Sequence, residues 1–400
     1  MLIKADISHF KSIADSHLNF GQINVLVGVN GSGKSNILDA LYFIRDCAVQ
    51  DLETAINIRH GIDSVRQWSR TKPYNIRINL QFKNQIGGGL YSVTIGSSRS
   101  GDFSVVEESG SWNGEFRTKV GTDAHSFTSK FLRNSEGEVE FSTNEPTFKQ
   151  FYKGPQKHTL DRSSLFLTYI NSPYAHLEKI VFRELINEIT NFVLYSIYPS
   201  NIRRPQPVSK EETLSGDGSN LASILRKVNA GNKTNKQNII ETLRIVLPIA
   251  KDFIVKSAGG YYVPVIRVEG PNGASHDLNL SQVSDGTLRM IGILSAFYQK
   301  NAPDKIAMEE PEQMIHPGLL SLISESVKEH IENDKTERKQ VFLTTHSPEF
   351  VDLFNPEDII WAEFRDNITV SGKISPRQIS IIKNRLFSAG ELLVIEGFAN

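Results

Sequence analysis

The residues Gly28-Val29-Asn30-Gly31-Ser32-Gly33-Lys34-Ser35 put glycines, a lysine and a serine at the G-x-x-x-x-G-K-S spacing that suits a polyphosphate. Glycines let successive backbone N–H groups close around an anion, and a helix starting at the lysine adds its positive end. In such a loop Lys34 reaches the β- and γ-phosphates and the Ser35 hydroxyl ligates Mg²⁺. Asn30, Gly31, Ser32, Gly33, Lys34, Ser35 and Asn36 are therefore the expected contacts to ATP. Far along the chain, Lys305-Ile306-Ala307-Met308-Glu309-Glu310-Pro311-Glu312 is an apolar run that ends in adjacent acids. Glu309 is expected to hold Mg²⁺ through water, and Glu310 to polarise the attacking water. A third apolar run, Gln340 to Thr345, delivers His346, whose imidazole can hydrogen-bond a γ-phosphate and position that water. In Ser284-Asp285-Gly286-Thr287, Ser284 or Asp285 is a natural helix cap, leaving N–H groups free for an anion.

Strands and helices must carry these groups to one place. Ile23 to Val27 is a short apolar run of the kind buried on both sheet faces, and Ile37, Ala40, Leu41 and Ile44 follow at helical spacing. After Ser284 the pattern alternates helix and strand, which predicts a parallel sheet covered by helices. Ile3 to Ile13 reads as extended. Residues 75–108 alternate with period two around the Gly87 to Gly89 turn, which predicts antiparallel hairpins. Residues 109–160 are polar and read as loops with weak strands. Ala175 to Tyr195 reads as helical, with further helices over 220–226 and 238–247 and a hairpin around Gly259-Gly260. Near the end, Leu392 to Gly397 reads as a terminal strand or tail closing on Glu396.

The chain of 400 residues has 44 basic and 45 acidic side chains, a net charge of -1. Its average field therefore would not coat nucleic acid or an anionic membrane, so anion binding must be local. One cysteine, Cys47, excludes an intrachain disulfide and a cysteine-built zinc cage, and the expectation is a reducing cytoplasmic setting. No stretch approaches the roughly eighteen apolar residues of a membrane span, and no membrane partner is expected.

The phosphate loop, SDGTLR (Ser284 to Arg289), EEPE (Glu309 to Glu312) with Ile315-His316-Pro317, and TTHSP (Thr344 to Pro348) resemble, in order and spacing, the ABC-type ATPases of the SMC/RecF/OLD group. Phe10-Lys11-Ser12, Arg203-Arg204-Pro205-Gln206 and Gly218 to Ala222 extend the likeness, which is greatest to small ATPases of anti-phage defence and abortive-infection systems. The resemblance implies an α/β fold: an ABC-type ATPase head with a parallel-core RecA-like lobe, an antiparallel β-lobe and a helical insertion. The corresponding segments are 1–170 and 251–366 for the two halves of the head, 171–250 for the insertion and 367–400 for a tail. It also implies a homodimer or higher homo-oligomer closed by ATP, with Ser284, Asp285 and Gly286 facing the partner's nucleotide, and a separate effector, a nuclease or toxin. The alternative is a RecF-like DNA-binding ATPase, with Arg203, Arg204, Arg226, Lys227, Lys233 and Lys236 as its basic cluster. Two departures stand out: Leu167 lies where the group has a coupling glutamine, and Glu309 replaces the aspartate of many relatives.

Overall fold

The computed structural model describes all residues except 118–123, 146–147, 149–153, 232, 334–337, 396 and 399–400. A 14-stranded sheet runs through the described residues, and its two halves are built on different rules. In one half, Phe192–Tyr195, Lys305–Glu309, Gln340–Thr345, Ile23–Val27 and Ile359–Arg365 lie side by side, all parallel. These are short apolar strands, as expected for strands covered on both faces. The other half is antiparallel, from Ile13–Asn19 and Leu2–Phe10 through Ile76–Lys83 and Gly87–Ser97 to Phe103–Arg117, Ala124–Arg133, Glu138–Thr143 and Gln156–Thr159.

The halves join through Ile368–Lys373, which pairs with Ile359–Arg365 on one side and meets Ile13–Asn19 at a single bridge, Thr369 to Ile13. Hydroxyls reinforce this seam: Ser12 Oγ lies 2.6 Å from Thr369 Oγ1, and Ser16 Oγ 2.7 Å from Ser371 Oγ. Ile368–Lys373, within the segment 367–400 expected as a tail, is thus a strand of the large sheet.

The parallel strands divide the interior into two cores, because successive side chains point to opposite faces. Leu26, Ala307, Phe342 and Ile360 face the first core, with the phosphate-loop helix Lys34–Val49 and the antiparallel lobe. Val25, Val27, Ile306, Met308, Val341, Leu343 and Ile359 face the second, with the helices Leu221–Ala230, Lys233–Val246, Asp285–Tyr298 and Leu320–Glu332.

The structure corrects four sequence expectations. Where 109–160 read as loops with weak strands, Phe103–Arg117, Ala124–Arg133 and Glu138–Thr143 are fully paired strands; buried Trp112, Phe131 and Phe141 anchor them. Ala175 to Tyr195 is not one helix: His176–Val181 and Arg183–Thr190 are helical, and Phe192–Tyr195 is the edge strand of the parallel half. Consequently the stretch 171–250 divides between the two cores, Leu185 and Ile189 in the first and Leu221 to Leu243 in the second. Leu392 to Ile395 is helical, within Ala389–Ile395, rather than a strand; Ser388 Oγ accepts from Glu391 N and Asp352 Oδ1 from Gly390 N at its start. Glu396 lies outside the described residues. No helix among those described is long and apolar enough to cross a membrane.

Candidate nucleotide-binding site

The chemistry collects at the carboxyl ends of three adjacent parallel strands, in the order Lys305–Glu309, Gln340–Thr345, Ile23–Val27. After Val27 the chain turns through residues 28–33 into the helix Lys34–Val49. Gly33 sits at φ 98°, and a Cβ there would lie 2.0 Å from Thr369 Oγ1, so both conformation and space require glycine. Asn36 Nδ2 donates to Ser12 Oγ at 2.6 Å, which ties the first turn of the helix to the seam. Farther along the helix, buried Arg59 pairs with Asp39 and Asp46.

Lys34 is buried, and its ammonium donates to the carbonyls of Gly28 at 2.8 Å and Val29 at 3.0 Å. Burial lowers its pKa below the usual lysine range, while the charges of Glu310, Glu312 and Glu309 work against that. Those couplings bring residues nearly three hundred positions apart to one locus. An ammonium has three protons, so one remains for a phosphate oxygen. Ser32 Oγ is buried with no partner among the described residues, while Asn30, Gly31 and Ser35 are exposed.

Glu309 ends its strand opposite Thr344. Glu310 follows with φ 43°, an unfavourable value for a side-chain-bearing residue. Two contacts hold it there: its N–H donates to Thr344 O at 3.0 Å, and Arg289 Nη2 donates to its carbonyl at 2.9 Å. Glu310 Oε1 lies 3.2 Å from His346 Nδ1, and Gln313 Nε2 donates to Oε2. Acid and imidazole, both taken from the sequence, therefore meet.

The helix Asp285–Tyr298 is capped as expected, Ser284 Oγ accepting from Thr287 N at 3.3 Å. Gly286 touches the acid loop, where a Cβ would stand 2.4 Å from Met314 O. Arg289 on the same helix donates to the carbonyls of Ile197, Glu309 and Glu310. Asp285 is engaged by Arg203 at 2.5 Å.

Sequence reasoning missed Thr369, Arg289 and Glu312 as parts of this site. Thr369 carries no motif, and its closeness to Gly33 is purely tertiary. Arg289 and Glu312 stand within the SDGTLR and EEPE motifs, and for Arg289 an ionisable side chain amid an apolar helix pattern was the available signal. Leu167 is wholly buried, and its N–H donates to Glu108 Oε1 at 2.8 Å, so its side chain packs in the first core.

Residues 23–352 match a family model described as "AAA domain, putative AbiEii toxin, Type IV TA system". The chain belongs to this family. It is an ABC-type ATPase of the SMC/RecF/OLD group. It is 21% identical over 366 residues to a protein of Helicobacter pylori named ATP/GTP phosphatase, covering 89% of this chain and 88% of that one. Endonuclease GajA of Bacillus cereus is 22% identical over 98% of this chain, which spans 64% of the GajA length. The DNA replication and repair protein RecF of Porphyromonas gingivalis is 44% identical over 57 residues, 14% of this chain and 16% of that one. Among solved structures, an SMC head bound to the C-terminal winged-helix domain of ScpA superposes with a TM-score of 0.52 at 13% identity, covering 95% of this chain and 99% of that chain. That likeness is one of fold.

Proposed function

We propose that this ATPase dimerises on ATP and uses the closed state to control a separate effector, a nuclease or toxin, in anti-phage defence. The observation that carries this reading is the meeting of Lys34, Glu310 and His346 at three adjacent strand ends, with the SDGT cap beside the same loop. Likeness to GajA and to the AbiEii-named family supports the defence setting.

The residues present fit a nucleotide polyphosphate with Mg²⁺: a buried lysine with a spare proton, an orphaned buried Ser32 hydroxyl and the carboxylates of Glu309 and Glu310. Residues 30–36 would hold the phosphates, and Ser35 and Glu309 would hold Mg²⁺, which supplies charge neutralisation at the phosphate oxygens. Glu310, paired with His346, is the general base that orients and deprotonates water. Lys34 gives its third proton to a phosphate oxygen. Ser284, Asp285 and Gly286 act on the nucleotide of the other subunit, so that closure completes two sites at once.

Replacing Glu310 by Gln removes the base and leaves the phosphate loop intact. The expected result is a fall in turnover of about 10²–10⁴-fold with ATP still bound and the dimer trapped, read by phosphate release and by mass in light scattering. A monomer at saturating ATP would overturn the dimer reading, and undiminished turnover would overturn the assignment of the base.

The RecF match favours a second reading, ATP-dependent DNA binding. Against it, much of the basic cluster is committed internally: Arg203 to Asp285, Lys227 to Glu212, Lys236 to Asp252, and Arg226 stacked on Tyr262. Duplex binding that weakens steeply with salt would reinstate it.

A further inference from the structure

Glu312 is the one acid of the EEPE segment that the assigned chemistry leaves unused. It is 8% exposed, and its two oxygens differ. Oε1 accepts from the Thr345 hydroxyl at 2.5 Å, whereas Oε2 is buried with no partner among the described residues. Thr345 is itself wholly buried, and its oxygen accepts the Ser347 N–H at 3.0 Å. Ser347 Oγ then caps the short helix Pro348–Val351, accepting from Phe350 N at 3.2 Å.

A threonine hydroxyl has one proton and two lone pairs. Because Thr345 gives its proton to Glu312, the lone pairs are turned toward Ser347. The result is a hydrogen-bonded brace, anchored on the acid loop, that grips the residues immediately before and after His346. A carboxylate is an expensive way to accept one hydrogen bond, because burying it costs far more than burying an amide. A buried carboxylate with one oxygen unpaired adds little to stability, which points to a role at the site instead.

We propose that Glu312 is a positioning residue: acting through Thr345, it fixes the turn that presents His346 to Glu310. This rests on the reading of Glu310 and His346 as the pair that positions water.

The test combines ATP turnover with the imidazole resonances of ¹³C-labelled histidine, His346 being assigned by its loss in H346N. The variants are T345V, T345S, E312A and the double T345V/E312A. T345V and E312A are each expected to lower kcat about tenfold with KM within about twofold, and the double to lose no more than the worse single. T345S is expected to restore most of the loss, since it keeps the donor. The His346 resonance is expected to move in T345V and E312A and to stay in place in T345S. Additive losses, unchanged kcat or an unmoved His346 resonance in T345V would overturn the proposal. If the wild-type protein turned over no ATP, the functional reading would fall, yet the His346 resonance would still decide this one. Should E312A not fold, the Thr345 pair carries the test alone.

Discussion

The parallel and antiparallel halves of the sheet handle polar residues in opposite ways. In the parallel half the buried polar residues Lys305 and Gln340 sit at the amino ends of their strands, and the acid and imidazole of Glu309, Glu310 and His346 gather at the carboxyl ends. In the antiparallel half a polar centre is sealed inside: Glu108, wholly buried, accepts from Phe166 N, Leu167 N and the Tyr91 hydroxyl, and buried Arg133 donates to the carbonyls of Val105, Asn134, Asp161 and Arg162. The first arrangement leaves charges available to a substrate. The second spends them on fixing a lobe, since satisfied buried polar groups specify geometry and unsatisfied ones are costly.

If this division of labour holds, substitutions in the two halves should break different properties. The largest contrast is between Lys34 and Trp112. Lys34→Ala is expected to weaken ATP binding by more than about tenfold, measured by calorimetry, while the unfolding midpoint stays within a few degrees. Trp112→Ala, which empties a 1% exposed site in the antiparallel lobe, is expected to cost about 3–5 kcal/mol in chemical denaturation. ATP affinity of the folded fraction should be retained. A Trp112 variant that lost affinity without losing stability would dissolve the distinction.

The next effect is one of pH. Burial pushes the Glu108 carboxyl from an ordinary 4.5 up to about 7, against the pull of its hydrogen bonds and of Arg133. The folded chain therefore keeps a proton that the unfolded chain releases between those values. Its contribution to stability is complete below pH 4.5 and is lost as pH rises through 7, amounting to about 3 kcal/mol in all. Glu108→Gln should flatten that part of the stability profile between pH 5 and 8. An unchanged slope in denaturant titrations would show that Glu108 is ionised throughout.

The smallest effect tests the border of the parallel half. Arg203 and Asp285 are 38% and 56% exposed, so Arg203→Ala should cost less than about 1 kcal/mol, with the difference shrinking in salt. A larger loss would mean that the pair holds the SDGT cap in place.

Legibility in the sequence follows the same line. The parallel half was readable because most of its strands are short apolar runs with local motifs at their ends: the loop before the helix Lys34–Val49, Glu309 and His346 at strand ends and the Ser284 cap lie on the elements that spacing predicted. Phe192–Tyr195 escaped because four residues that continue a helical period carry no strand signal of their own. The strand pairing beyond residue 108, in Phe103–Arg117 and Ala124–Arg133, escaped because glycines interrupt the alternation. A Cβ at Gly110 would strike Phe131, and one at Gly114 would strike Phe127, so those glycines are packing residues that look like loop residues. Leu392 to Ile395 misled in the other direction, since a short apolar run fits either element and the deciding contact, Asp352 to Gly390 N, is tertiary. Thr369 belongs to the same class.

The seam where the halves meet has a consequence for how the protein comes into being. The phosphate loop lies far upstream of the hydroxyl beneath it, Thr369, which is joined to Ser12 across a separation of 357 residues. A nascent chain can form the loop's sequence-local turn and helix early, while the strand that floors them is still to be translated. Loop closure over such distances is slow to search and is rewarded only at the end. The contact that floors Gly33 therefore exists only where both halves of the sheet have joined, so formation of the loop is expected to depend on that long-range pairing.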